Sequence, residues 1–308
     1  MKKALLVNIS DIGDIVSSSI VVESLRKNYE VSFMMPKFVH GLWENDTAIK
    51  LHGLDEIPKD HFDLVIDLTS DKASRKIVRS IKADRKIGRI KNTWQRMRHW
   101  WTYSDMVSKK FDGHIVGDYT PVLSILKDQS PRVPSLSGLK KWPEKFSFSE
   151  DEKVVSIHFG AHNPKRVIPE TLISHVIKNL NERGYKIVLI GSEENIAKEI
   201  IKKNADIPTY KPLTLSEVKN VLLCSKLFIG ADSGILHISA ALGVSSIGVY
   251  GPNVPRRSGP RSEKVTFFEQ KLDCRPCNQN IECPIDVKCM KTLDKNVFWD
   301  LILDKLRQ

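Results

Sequence analysis

GADSGILHISAALG, residues 230–243, sits between two short apolar runs, Leu227–Ile229 and Ile247–Tyr250. The runs read as strands, and the stretch between them reads as a turn opening a helix over Ser233–Leu242. Where a strand ends and a helix begins, free backbone N–H groups and the helix dipole favour an anion such as a diphosphate. Gly234 lets a ligand come close to the backbone. Asp232 or Ser233 can equally serve as an ordinary helix cap, so the pair alone leaves both readings open. His237 lies four residues after Ser233, on the same helix face.

The same strand-then-helix order recurs along the chain. Strands are expected over Lys3–Ile9, Val31–Met35 and Phe62–Leu68, with helices over Asp14–Lys27 and from Lys72 to Ile81. Pro131, Pro134, Gly138 and Pro143 then punctuate a polar stretch that reads as a linker. After it come strand Val154–Phe159, helix Pro169–Arg183, strand Lys186–Ile190, and helices over Glu193–Asn204 and Leu215–Cys224. A helix over Asn296–Leu306 ends the chain. This alternation predicts an α/β fold of two Rossmann-like halves, 1–140 and 141–308, with a ligand in the cleft where their sheets end.

The first half has its own turn at the end of its first strand, Ser10-Asp-Ile-Gly-Asp14. Gly13 suits a tight turn, and Asp14 falls at a helix N-terminus, where the dipole stabilises a carboxylate. A carboxylate facing a cleft can take a proton from an attacking hydroxyl; the plainer reading is an acidic first-turn residue. In the second half, His158-Phe-Gly-Ala161 leads to Lys165, Arg166 and Pro169.

Taken together, Ser10-x-x-Gly-Asp14, the Lys165-Arg166 segment and Asp232-Ser-Gly-x-x-His237-x-x-Ala-Ala-Leu-Gly resemble glycosyltransferase family 9, the lipopolysaccharide-type heptosyltransferases. Tyr250-Gly-Pro and Gly259-Pro add to the likeness, whereas Lys91–Trp142 carries no matching motif. The resemblance implies a GT-B fold and inverting transfer of heptose from ADP-heptose to a lipopolysaccharide-core or related glycan. It implies Asp14 as general base. Lys165, Arg166, Asp232, Ser233, Gly234 and His237 would lie at the donor, and Glu193 or Glu194 at its ribose. Ser10 and Gly13 would form the acceptor-side loop. No metal or other cofactor is implied for catalysis. Where the family usually carries Lys and, two residues on, Trp, this chain has Arg166 and Ile168, and Arg and Lys bind phosphate differently. With base and phosphate-binding groups on opposite halves, transfer would need closure of the cleft.

Four of the five cysteines, Cys274, Cys277, Cys283 and Cys289, fall within one short stretch. Their spacing suits a closed tetrahedral thiolate site for structural zinc or iron, and some family members carry a similar element. Cys224 has apolar neighbours and reads as packed.

The chain has 308 residues and a net charge of +11, which points to a polyanionic partner. Lys72–Lys110 holds thirteen Lys or Arg against two Asp, with Trp94, Trp100 and Trp101 among them. A charge run is commonly a solvated face. Here it also suits a phosphorylated, lipid-linked glycan acceptor and peripheral contact with an acidic membrane surface. No segment is long and apolar enough to cross a bilayer, and the N-terminal apolar run breaks at Asn8, so the expected location is cytoplasmic, at the inner membrane.

Three rival readings remain. One is a GT-B transferase with another nucleotide sugar or a protein acceptor. A second is a non-catalytic member of the family. The third, a metal-bearing nucleic-acid-binding protein, leaves Asp14, Asp232 and His237 unexplained, so nucleic acid is not the expected partner.

Overall fold

The structure is a computed structural model describing residues 1–90, 93–108, 114, 119–128, 133–149, 151–191, 200, 202, 212–277 and 279–308. It forms two compact units, Met1–Ser137 and Gly138–Gln308.

The first unit holds a six-stranded parallel sheet: β1 (Lys2–Val7), β2 (Tyr29–Met34), β3 (Ile49–His52), β4 (His61–Asp67), β5 (Lys82–Ile90) and β6 (Asp105–Ser108). Their order is β3-β2-β1-β4-β5-β6, and β1 pairs with both β2 and β4, Leu5 lying opposite Ser32 and Val65. This is a Rossmann order, in which the sequence runs outward in both directions from the β1/β4 pair. The last four residues of β1, Ala4 to Val7, are wholly buried, as a strand covered on both faces requires.

Three of these strands depart from the alternation read in the sequence. The strands β3 and β6 have four residues each, too few to show a period. In β5, Lys82, Arg85 and Lys86 mask the pattern, while Ile87 and Ile90 are buried. Part of the basic run is therefore sheet.

The helix expected over Asp14–Lys27 is two helices, Ile12–Ser17 and Ser19–Arg26. The break falls within Ser17-Ser18-Ser19. The Ser17 hydroxyl donates to the Gly13 carbonyl at 2.7 Å and the Ser18 hydroxyl to the Ile15 carbonyl at 2.6 Å. Such back-bonding competes with the helical ladder and bends it.

The second unit holds β7 (Val154–His158), β8 (Lys186–Ile190), β9 (Leu227–Ala231), β10 (Ser246–Tyr250) and β11 (Val265–Glu269), in the order β11-β10-β9-β7-β8 and all parallel. Here the order reverses between β7 and β9, so ligands are expected beyond the carboxyl ends of that pair. Helix Glu170–Asn181 buries Leu172, Ile173, Val176, Ile177 and Leu180, one apolar stripe at helical spacing. Helix Lys295–Arg307 packs Phe298, Trp299 and Ile302 into the same core, capped by Asp294, whose carboxylate accepts from the Asn296 and Val297 amides. Gly243 ends the helix Gly234–Ala241 with φ of 70°, a left-handed position that favours glycine.

Candidate active site

At the end of β1, buried Asn8 organises the loop that leads to Asp14. Its amide oxygen accepts from the Ser10 amide at 3.2 Å and from the Thr69 hydroxyl at 3.3 Å. Thr69, beyond the end of β4, also accepts from the Ile9 amide at 2.9 Å and lies 3.4 Å from the Ser10 hydroxyl. Ser10 thus braces the loop from β1 to the loop from β4. Gly13 and Asp14 lie in the first turn of Ile12–Ser17, and the Asp14 carbonyl accepts from the Tyr119 hydroxyl at 2.9 Å. The Asp11 side chain makes no cap, so the carboxylate of Asp14 is the acidic group in that first turn.

Below this loop lies wholly buried Asp67. Burial pushes its carboxyl up, against donation from the Tyr103 hydroxyl at 2.7 Å and the Ser70 and Thr69 amides at 2.7 and 3.1 Å. Asn8, Asp67 and Thr69 were not singled out from the sequence. Asn8 carried a signal nonetheless, as the polar residue that ends an apolar strand.

In the second unit, the loops after β7, β9 and β10 converge. Ser233 stands at the N-cap of Gly234–Ala241 but makes no side-chain cap; its hydroxyl faces His158 Nδ1 at 3.2 Å. The start of the helix is thus left without a side-chain cap. Burial pushes His158 down to about 4, so its imidazole is neutral near pH 7 and brings no charge to an anion. His237 is buried one turn into the same helix.

Asp232, only 4% exposed, lies directly before Ser233. Burial raises its carboxyl above the usual range, opposed by the Arg166 guanidinium and by hydrogen bonds from Asn253 and Tyr250. Arg166 Nη1 is 3.6 Å from Asp232 Oδ2, and Asn253 Nδ2 donates to the same oxygen at 2.6 Å. Arg166 sits in the turn Pro164–Arg166, where Asn163 caps the Lys165 amide at 3.0 Å. Ile168 is 1% exposed and its amide donates to the Phe159 carbonyl, so that departure from the family pattern falls in the core. The Lys165 ammonium donates to the carbonyls of Gln279 and Ile281 in the cysteine stretch. Glu193 and Glu194 lie outside the described residues.

Cys274, Cys277, Cys283 and Cys289 line one cavity with Lys165 and Pro252, and none is in a disulfide. Burial raises the Cys289 thiol. The donor set suits a soft ion, but among the described residues no three His, Cys, Asp or Glu are placed to hold one.

The basic stretch carries an aromatic surface in and after helix Thr93–His99. Trp94, Met97, Trp100 and Trp101 are 58, 65, 69 and 57% exposed. Arg98 lies 5.0 Å from the Trp94 ring centre and Arg79 5.6 Å from that of Trp101. Among the described residues, no helix is long and apolar enough to cross a membrane.

Two parallel Rossmann-type sheets, with an anion-ready helix start at the reversal point of the second, are the parts of a GT-B fold. The chain belongs to glycosyltransferase family 9 (heptosyltransferase), whose model matches residues 54–286. Lipopolysaccharide heptosyltransferase 1 of Campylobacter coli is 23% identical over 287 residues, covering 81% of this chain and 84% of that protein. Among solved structures, E. coli ADP-heptose lps heptosyltransferase II aligns with a TM-score of 0.79 at 17% identity, over 99% of both chains. The iron-containing dodecameric glycosyltransferase TibC from enterotoxigenic E. coli aligns with a TM-score of 0.63 at 14% identity, over 100% of this chain and 77% of that one. The fold and the transferase class expected from the sequence are thus borne out.

Proposed function

We propose that this enzyme transfers heptose from ADP-heptose to a hydroxyl of a lipopolysaccharide-core or related glycan, with inversion at the anomeric carbon. The observation that carries the reading is the grouping of Arg166, Asp232, Ser233 and the helix start at Gly234 beyond β7 and β9. In this reading the donor diphosphate lies on the Gly234 helix start, with Arg166 neutralising its charge. His237 lines the sugar side of that helix. The acceptor hydroxyl gives its proton to Asp14 as its oxygen attacks the anomeric carbon. The bond from that carbon to the diphosphate breaks on the opposite face, and ADP leaves with the electron pair. Charge on the departing diphosphate is met by Arg166 and the helix start, so the step draws on no metal ion. The heptosyltransferase names among the relatives support heptose as the sugar.

A donor panel tests this reading. ADP-heptose is expected to raise the melting temperature more than UDP- or GDP-sugars at equal concentration. A larger shift with UDP- or GDP-sugars would reassign the donor.

We also propose that the surface of Trp94, Met97, Trp100 and Trp101 rests on an acidic membrane, where a lipid-linked acceptor resides. Exposed indoles beside Arg79 and Arg98 combine apolar insertion with attraction to anionic headgroups. The protein is expected to float with phosphatidylglycerol-containing vesicles and not with phosphatidylcholine alone. Trp100→Ser with Trp101→Ser should weaken that binding about tenfold. Equal binding to both vesicle types, or an unaffected double variant, would refute the contact.

A further inference from the structure

Four side chains from four separate loops close a ring beside the proposed donor site. Arg166 Nε donates to Gln279 Oε1 at 2.5 Å. Gln279 Nε2 donates to Asn253 Oδ1 at 2.7 Å. Asn253 Nδ2 donates to Asp232 Oδ2 at 2.6 Å, and that oxygen pairs with Arg166 Nη1 at 3.6 Å. Each amide uses its oxygen as acceptor and its nitrogen as donor, so the ring is complete without a mismatched group.

Gln279 comes from the cysteine stretch, between Cys277 and Cys283. Its backbone is held as firmly as its side chain. Lys165 donates to its carbonyl at 3.0 Å. The Cys277 amide donates to the Pro252 carbonyl at 3.2 Å. Arg275 donates to the carbonyls of Gly251 and Asn253, the latter at 2.6 Å, and pairs with Glu269 at 2.6 Å. The segment between the first two cysteines is therefore bolted to the loop after β10, and Gln279 reaches from it to Arg166 and Asn253.

We propose that Gln279 is a positioning residue for donor binding, which makes the cysteine stretch a wall of the donor site. It acts through Arg166 and Asn253. By accepting from Arg166 Nε it fixes the plane of the guanidinium; by donating to Asn253 it fixes the amide that holds Asp232. A guanidinium oriented before binding loses less freedom when a nucleoside diphosphate arrives, and its charge points where it is needed. A tie that merely held the cysteine stretch in place would affect stability and leave nucleotide affinity alone. The proposal rests on the donor reading above, and its test separates the two.

Wild-type protein is titrated calorimetrically with ADP, UDP and GDP, and the tightest binder is then titrated into Gln279→Ala. The dissociation constant is expected to rise about tenfold, the effect of losing an oriented charge-assisted contact. Donor KM should rise with it while acceptor KM stays unchanged. Adding Gln279→Ala to Asn253→Ala should cost under about threefold more, because residues of one network do not act additively. Should Gln279→Ala fail to fold, the isosteric Gln279→Glu removes the donation to Asn253 and sets a negative charge beside Arg166, and it should weaken the nucleotide at least as much. An unchanged dissociation constant in the folded variant would overturn the role of Gln279 and leave the donor reading standing. Absence of nucleotide binding in the wild type would overturn both.

Discussion

Asp14→Asn is expected to lower turnover by about 10²–10⁴-fold, the usual range for loss of a general base. Asparagine keeps the size and the backbone bonds of the site, including acceptance by the residue 14 carbonyl from the Tyr119 hydroxyl. It cannot accept the acceptor's proton. The loop around it is braced by Asn8, Ser10 and Thr69 and should not move. Nucleotide affinity should also stay unchanged, because the proposed donor-binding groups belong to the other unit. Steady-state turnover and ADP calorimetry on the same preparation check both halves. A variant with near wild-type turnover would remove Asp14 from the chemistry; one with lost ADP affinity would point to a wider disturbance.

Arg166→Ala is expected to weaken ADP binding by about 10–100-fold, the range for a lost charge-assisted hydrogen bond. Turnover should fall at least as far, since charge on the diphosphate grows as the glycosidic bond breaks. The substitution also leaves Asp232 buried beside the site without its cation, and a buried carboxylate so exposed to the loss is costly. Its carboxyl, already raised by burial, should rise further. Arg166→Lys separates the two effects. It keeps a charge near Asp232 but loses the planar contact to Gln279, so its affinity should fall between wild type and alanine. Calorimetry with ADP measures all three proteins. Wild-type affinity in Arg166→Ala would exclude the guanidinium from the donor site.

Much of the fold was legible because parallel strands buried on both faces leave continuous apolar runs. Leu227–Ala231 and Val154–His158 are two such strands, and every residue in them is buried. What the sequence hid were elements whose burial is one-sided or brief. In β5 the burial comes only at its end, after a run of exposed charge. The serine triplet that splits the first helix left the helical pattern unbroken in the sequence, because back-bonding to carbonyls is a geometric matter.

The site was legible where a motif joined a strand end to a helix start, as at Ser10–Asp14 and Asp232–Gly234. It was hidden where function depends on contacts between distant loops. Asn253 follows the noted Tyr250-Gly-Pro yet was passed over, and its meeting with Asp232 depends on β10 lying beside β9. Gln279 was concealed by the cysteines around it, whose spacing drew attention to a metal and away from the side chains between them. Lys165 was read with Arg166 as a phosphate-binding pair; the structure turns its ammonium toward the carbonyls of Gln279 and Ile281.

Heptose transfer is read from the mass of the product formed from ADP-heptose and a heptose-free, Kdo-terminated lipid acceptor. Wild-type enzyme is predicted to release ADP and to add one heptose to the acceptor. Failure to release ADP or alter the mass of that acceptor, of an already heptosylated core and of a protein acceptor, under conditions where the enzyme is folded, would contradict the account.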